Sequence, residues 1–152
     1  MDFHHQAIAQ DPLNSAAYHG LGRACHSAGL LAEAEGASRK ALELAPERVS
    51  TRALLAMILL DQERVEEGLA EARREPDESW RLFGMALALR ASGRAADSDA
   101  ALQRYVGRYA ESDAVQIAEV HAVRGEVDQA FAWLERAYAG RDGGFSGVKA
   151  SP

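Results

Sequence analysis

Residues 12–46 read PLNSAAYHGLGRACHSAGLLAEAEGASRKALELAP. Tyr18, Leu21, Gly22 and Cys25 follow the i, i+3, i+4, i+7 spacing of one helical face, and Ala34 and Ala41 mark a second helix beyond Gly29. The spacing predicts two helices joined by a tight turn at Gly29. Gly20 and Gly22 nevertheless stand inside the first helix, where each costs roughly 1 kcal/mol relative to alanine. A helical wheel gives the reason to expect them. Gly22 lies on the face directed at the second helix of its own pair, and Gly20, with Ala17 and Ala24, forms an all-small face directed at the helix of residues 3–10. Missing side chains there let neighbouring helix axes approach, and close packing offsets the lost propensity. The remaining face, with Ala16, His19, Arg23, His26 and Ser27, is the only polar one.

The same pattern recurs along the chain. Turn positions fall at Gly29, Glu63, Gly93 and Gly125, at intervals of 34, 30 and 32 residues. The second unit has Arg52, Leu55, Ala56 and Leu59 before its turn and Gly68 and Ala72 after it. It closes early at Pro76, so its second helix is expected to be about a turn short. The third unit contains two competing registers. WRLFGMAL imitates the pattern from Trp80, whereas counting back from Gly93 selects Leu82, Met85, Ala86 and Leu89; the turn is the firmer anchor. The fourth unit places Ala114, Ile117, Ala118 and His121 before Gly125, then Ala130, Leu134 and Ala137. HHQAIAQDP sits as the second helix of a further unit whose partner is absent, so the chain is expected to begin within a repeat.

Tyr18, Leu21-Gly22, Ala34, Ala41 and Pro46 resemble the tetratricopeptide repeat, W-x₂-L-G-x₂-Y then A-x₃-F then P, with Cys25 and Ser38 in place of two of its aromatics. The resemblance implies an all-α, right-handed α-solenoid of antiparallel helix pairs. It divides the chain into a half repeat at 3–12, repeats at about 15–46, 49–76, 79–110 and 111–139, and a glycine-rich tail at 140–152. It further implies a protein-interaction scaffold whose first helices line a concave groove. Extending the polar face of the first repeat to the others gives His19, Arg23 and His26; Ala53, Met57, Leu60 and Asp61; Trp80, Phe83, Leu87 and Arg90; and Val115, Glu119 and Ala122. The middle of this groove is apolar and its margins are charged. It suits a protein or peptide with apolar anchors and an acidic group oriented by Arg23 and Arg90. The alternative is that tight curvature buries Met57, Leu60, Phe83 and Leu87 within the solenoid itself. Some tetratricopeptide proteins clamp a terminal carboxylate with lysines and asparagines; Arg23, Met57 and Leu87 stand against that clamp here.

A formal net charge of −6 disfavours nucleic acid and anionic membrane surfaces. The longest apolar run, ALLAMILL at 53–60, is too short to span a bilayer. The single Cys25 cannot form an internal disulfide, which makes the reducing cytoplasm the default location. His19 and His26 stand about 10 Å apart along a helix axis, too far to share one zinc, and His121 reads as a hydrogen-bonded core histidine. GLGRAC and GRDGGFSG lack the strand–helix setting of nucleotide loops. No cofactor, metal or catalytic grouping is expected, and the chain does not read as an enzyme.

The last helix, 127–139, is expected to turn Ala130, Leu134 and Ala137 toward its partner and to leave Phe131, Trp133 and Tyr138 on its flanks. Solenoids need a covered end, so either Phe145 and Val148 fold back or a second copy forms a homodimer. A structural module that spaces other domains is the alternative to a dedicated peptide binder. REPDESWRLFGMALALRASGRAADSDAAL and AFAWLERAYAGRDGG are also similar to repeat arrays of bacterial multidomain signalling proteins, which implies a regulatory segment of a larger protein.

Overall fold

The computed structural model describes residues 2–142. Every regular element among them is an α-helix: α1 (Asp2–Gln10), α2 (Ser15–Ser27), α3 (Leu31–Leu44), α4 (Thr51–Asp61), α5 (Val65–Arg73), α6 (Glu78–Ala91), α7 (Ala95–Tyr109), α8 (Ala114–Val123) and α9 (Val127–Asp142). The pairs α2–α3, α4–α5, α6–α7 and α8–α9 are the four repeats, and α1 packs on α2 as the leading half repeat. The final helix continues through Gly140 to Asp142, so the array extends three residues past position 139.

One turn builds all four pairs. Gly29, Gly93 and Gly125 take φ of +74°, +78° and +76°, and Glu63 adopts the same left-handed conformation at +62°. In each turn the next residue's N–H reaches back five positions: Leu30 to Cys25 O, Arg64 to Leu59 O, Arg94 to Leu89 O and Glu126 to His121 O, at 2.8 to 2.9 Å. This is the Schellman closure, which satisfies carbonyls that the ending helix would leave open. The residue that donates this bond then caps the second helix with its own carbonyl, as in Ala34 N–H to Leu30 O at 2.9 Å.

The turn also fixes which residues meet inside a pair. Seven residues before it stand Gly22, Ala56 and Ala86; five after it stand Ala34, Gly68 and Ser98. A Cβ on Gly22 would lie 2.6 Å from Ser38 Oγ and 3.3 Å from Ala34 O, and one on Gly68 would lie 3.1 Å from Ala56 O. In the third repeat Ser98 Oγ donates to Ala86 O at 2.6 Å, which fixes the register on Gly93 and sets aside the start at Trp80. The glycine of that false start has its own use. A Cβ on Gly84, nine residues before its turn, would lie 3.1 Å from Ala72 Cβ of the preceding repeat, as one on Gly20 would collide with the His4 ring of α1.

Contacts between repeats are asymmetric. The backbones of α2, α4, α6 and α8 approach one another in succession, whereas those of α3, α5, α7 and α9 do not among the described residues. Crowding the first helices and splaying the second ones curves the array, with the first helices inside. The main core lies in repeats two to four and is built on Leu69, Phe83, Leu87, Leu89, Tyr105 and Ile117. Helix α5 has nine residues against 14 for α3 and 15 for α7, the shortening expected from Pro76.

Helix α4 begins in an unexpected way. Ser50, at φ +66°, makes no side-chain cap. The carboxylate of Glu75, 1% exposed, substitutes for it by accepting the N–H groups of Ser50 at 3.0 Å and Ala53 at 3.2 Å, and also that of Asp77 at 3.3 Å. A buried carboxylate is stable there because backbone donors surround it at the positive end of a helix.

The last helix corrects one part of the sequence reading. Leu134, expected toward α8, is 45% exposed, while Trp133, expected on the flank, is partly buried against the main core with the Arg136 guanidinium 4.9 Å from its ring centroid. The inward face of α9 is Ala130, Trp133 and Ala137, the same positions relative to the turn as Ala34, Ala37 and Ala41 in α3. Position 134 corresponds to Ser38, which is fully buried in α3; no later helix covers it on α9 among the described residues. Phe131 and Tyr138 are 62% and 71% exposed. Phe145 and Val148 lie outside the described residues.

Candidate functional site

Three rows of residues run across the first helices toward the concave side, at ten, six and three residues before each turn. They are His19, Ala53, Phe83 and Val115; Arg23, Met57, Leu87 and Glu119; and His26, Leu60, Arg90 and Ala122. A helix repeats its direction at such offsets, and because the four turns share one geometry the rows run across the repeats.

Two adjoining cavities occupy this side, of about 530 and 460 Å³. His26, Met57, Asp61 and Glu119 form the wall they share. The larger adds His19, Arg23, Trp80, Phe83 and Val115, and the smaller adds Leu60, Leu87 and Arg90. Twelve of the fourteen residues expected along the groove, Arg23, Met57 and Leu87 among them, thus line one continuous concavity. Ala53 and Ala122 do not line it.

Depth divides the apolar residues. Phe83 and Leu87 are 1% and 5% exposed and belong to the main core, so they are the floor of the groove and not open anchors. Of the two readings open for the four apolar residues, Phe83 and Leu87 follow burial within the solenoid, where α6 is pressed between its neighbours. Met57, Leu60 and Trp80 pack on the core yet stay partly exposed. Trp80 meets Phe83 edge to face at 5.6 Å between centroids.

The polar residues differ in how far they are satisfied. His26 Nε2 lies 2.7 Å from Asp61 Oδ2, a bond between repeats one and two. His19 Nδ1 lies 3.0 Å from the hydroxyl of the buried Thr51; burial, with Arg48 and Arg23 nearby, holds its pKa below the usual imidazole value. Glu119 is an exposed residue that lines both cavities, and desolvation raises its carboxyl pKa, partly opposed by His26. Arg23 and Arg90 are exposed, and neither makes an ion pair or hydrogen bond among the described residues. The site therefore offers a partly apolar strip, two guanidinium groups unpaired among the described residues and one carboxylate whose pKa desolvation raises.

The helical wheel missed Leu54, Gln116, Val123 and Arg124 among the lining residues. Arg124 follows α8 as its cap and binds Glu126, Ser98 and Asp99, locking repeat four to repeat three. Nothing in its local sequence signals that role. His121 is a core histidine as expected, with Nδ1 2.6 Å from Glu126 Oε2. Among the described residues no group of three histidine, cysteine or acidic side chains could hold a metal ion, and no helix is long and apolar enough to cross a membrane.

No family model matches the sequence, and no curated protein matches it. Solved structures do match. Two crystal structures of MamA superpose with TM-scores of 0.61 and 0.60 at 13% identity, covering 94% and 98% of this chain and 87% and 85% of those chains. YrrB, a TPR protein with an unusual peptide-binding site, superposes with a TM-score of 0.57 at 16% identity over 93% of this chain and 76% of that one. At these identities the likeness is one of fold. The chain has the fold of a tetratricopeptide-repeat solenoid.

Proposed function

We propose that the chain is a protein-interaction module that binds a peptide segment along its concave side, without turnover. The observation that carries this reading is the pairing of a continuous concavity with two arginines, Arg23 and Arg90, that no carboxylate of the described residues neutralises. The segment lays an apolar side chain on Met57, Leu60 and Trp80 and directs carboxylates at the arginines. YrrB is a peptide-binding protein of the same fold, which supports the class of ligand but does not identify it. Selection of binders from a random peptide library tests the proposal. Enriched sequences should combine acidic with apolar residues, and Met57→Asp or the pair Arg23→Glu and Arg90→Glu should weaken them at least about tenfold. Binders indifferent to both changes would move the activity off this face.

A second reading rests on the other end of the molecule. Val127, Phe131, Leu134 and Tyr138 form one exposed stripe on α9, 45% to 71% exposed, and a copy of the chain could cover it to form a homodimer. Because Trp133 is held by the core, Phe131→Asp is the cleaner probe. The reading predicts a mass of two chains by light scattering that falls to one in the variant. A single-chain mass at millimolar concentration removes it.

A further inference from the structure

A third cavity, of about 300 Å³, lies between α5, α6 and α7 and shares no residue with the concave side. It opens beside Arg73, the last residue of the shortened α5. Its floor comes from a different face of α6: Leu82 and Leu89 are buried and Met85 is partly exposed. Its rim holds four arginines, at 73, 81, 94 and 104, and two carboxylates, Glu78 and Asp97. Four against two leaves +2 locally on a chain whose formal charge is −6.

The pairing within the rim leaves positive charge to spare. Asp97 is matched to Arg94 at 2.7 Å. Glu78 is taken by Arg108 at 2.7 Å and by the Tyr109 hydroxyl at 3.0 Å, with Arg104 more distant at 3.4 Å. Arg81 donates to the backbone carbonyls of Glu75 and Pro76 at 2.6 and 3.1 Å, which fixes its guanidinium without neutralising it. Arg73 makes no ion pair or hydrogen bond among the described residues. Arginines held over an apolar floor recognise carboxylates and cover the apolar part of the same ligand.

We propose that this cavity is a second binding site, separate from the concave groove, for an acidic peptide segment that seats one apolar side chain on Met85 and places carboxylates on Arg73, Arg81 and Arg104. The chain's methionines make the test direct, because Met57 lies in the groove and Met85 in this cavity. The full chain, labelled with ¹³C at the methionine methyls, is titrated with a hexapeptide of alternating glutamate and leucine at about 20 mM salt, where charge is weakly screened. Met85→Leu assigns its signal. The Met85 methyl should shift to saturation, and Arg73→Glu with Arg104→Glu, both at exposed positions, should weaken that response at least about tenfold. A peptide with glutamine in place of glutamate should leave the signal unmoved. A Met85 methyl that stays still up to about 1 mM peptide, or that shifts equally in the double variant or with the glutamine peptide, overturns the proposal. The Met57 methyl reports on the groove in the same spectra, so failure of one site is not mistaken for failure of the other.

Discussion

Ser38 and Ser98 are fully buried serines on second helices, and they differ in what their hydroxyls touch. Ser98 Oγ donates to Ala86 O and accepts from Arg124 Nη1 at 3.0 Å, tying three helices. Ser38 Oγ has no hydrogen-bond partner among the described residues and fills the space opposite Gly22. Ser98→Ala should therefore lower stability by about 1 to 2 kcal/mol in urea unfolding, and Ser38→Ala should change it by less than about 0.5 kcal/mol or raise it. Glu75 carries a larger share. Glu75→Ala strands the donors at the start of α4 and should cost about 2 to 4 kcal/mol; Glu75→Gln should also destabilise, because its amide nitrogen faces an N–H group. The seats at Gly20 and Gly22 were legible in the sequence from the faces they occupy on the helical wheel, whereas Gly36 and Gly107, also within helices, face open space. Glu75 was not: it caps a helix that begins 24 residues earlier, and no local pattern records such a pairing.

At the scale of the element, the shared turn explains what was readable and where the reading slipped. Four closures of one geometry hold the first and second helices in one register, so a helical wheel drawn for α2 transfers to α4, α6 and α8. Glu63 is the exception in composition and keeps the geometry at the expense of a left-handed φ in a side chain with a Cβ. It is exposed, so Glu63→Gly should stabilise the chain by roughly 1 kcal/mol, read as a higher urea midpoint at unchanged slope. The wheel failed on α9. Spacing alone cannot separate Trp133 from Leu134 as the inward residue, since they lie three and four positions after Ala130, and no later helix of the described residues covers 134.

Across the whole molecule, the residues around the groove were legible but their depth was not. Periodicity says which side chains point inward; the curvature of the array decides that Phe83 is sealed while Met57 is not. Curvature arises from contacts between repeats, and these depend on every small residue at once. The same inward face sets a response to acid. His19 has a folded pKa below its unfolded value near 6.5. As pH falls through that value the unfolded chain takes up a proton that the folded chain resists, so stability falls with acidification and is unaffected above it. Urea unfolding at pH 7.5 and 5.5 should show a smaller acid loss in His19→Gln than in the parent chain.

The intervals between turns, 34, 30 and 32 residues, vary although the turns themselves do not. The variation falls away from the turns, in the second helices, in the links and at the starts of the first helices, where α4, α6 and α8 have 11, 14 and 10 residues. Length can be gained or lost there, as α5 has lost it, without rotating any inward-facing residue out of its row. The outer surface is thus free to diverge in size from repeat to repeat while the inner one keeps its alignment. Residues spliced in after α3 or α7 should be far better tolerated than the same number placed between Gly22 and Ser38.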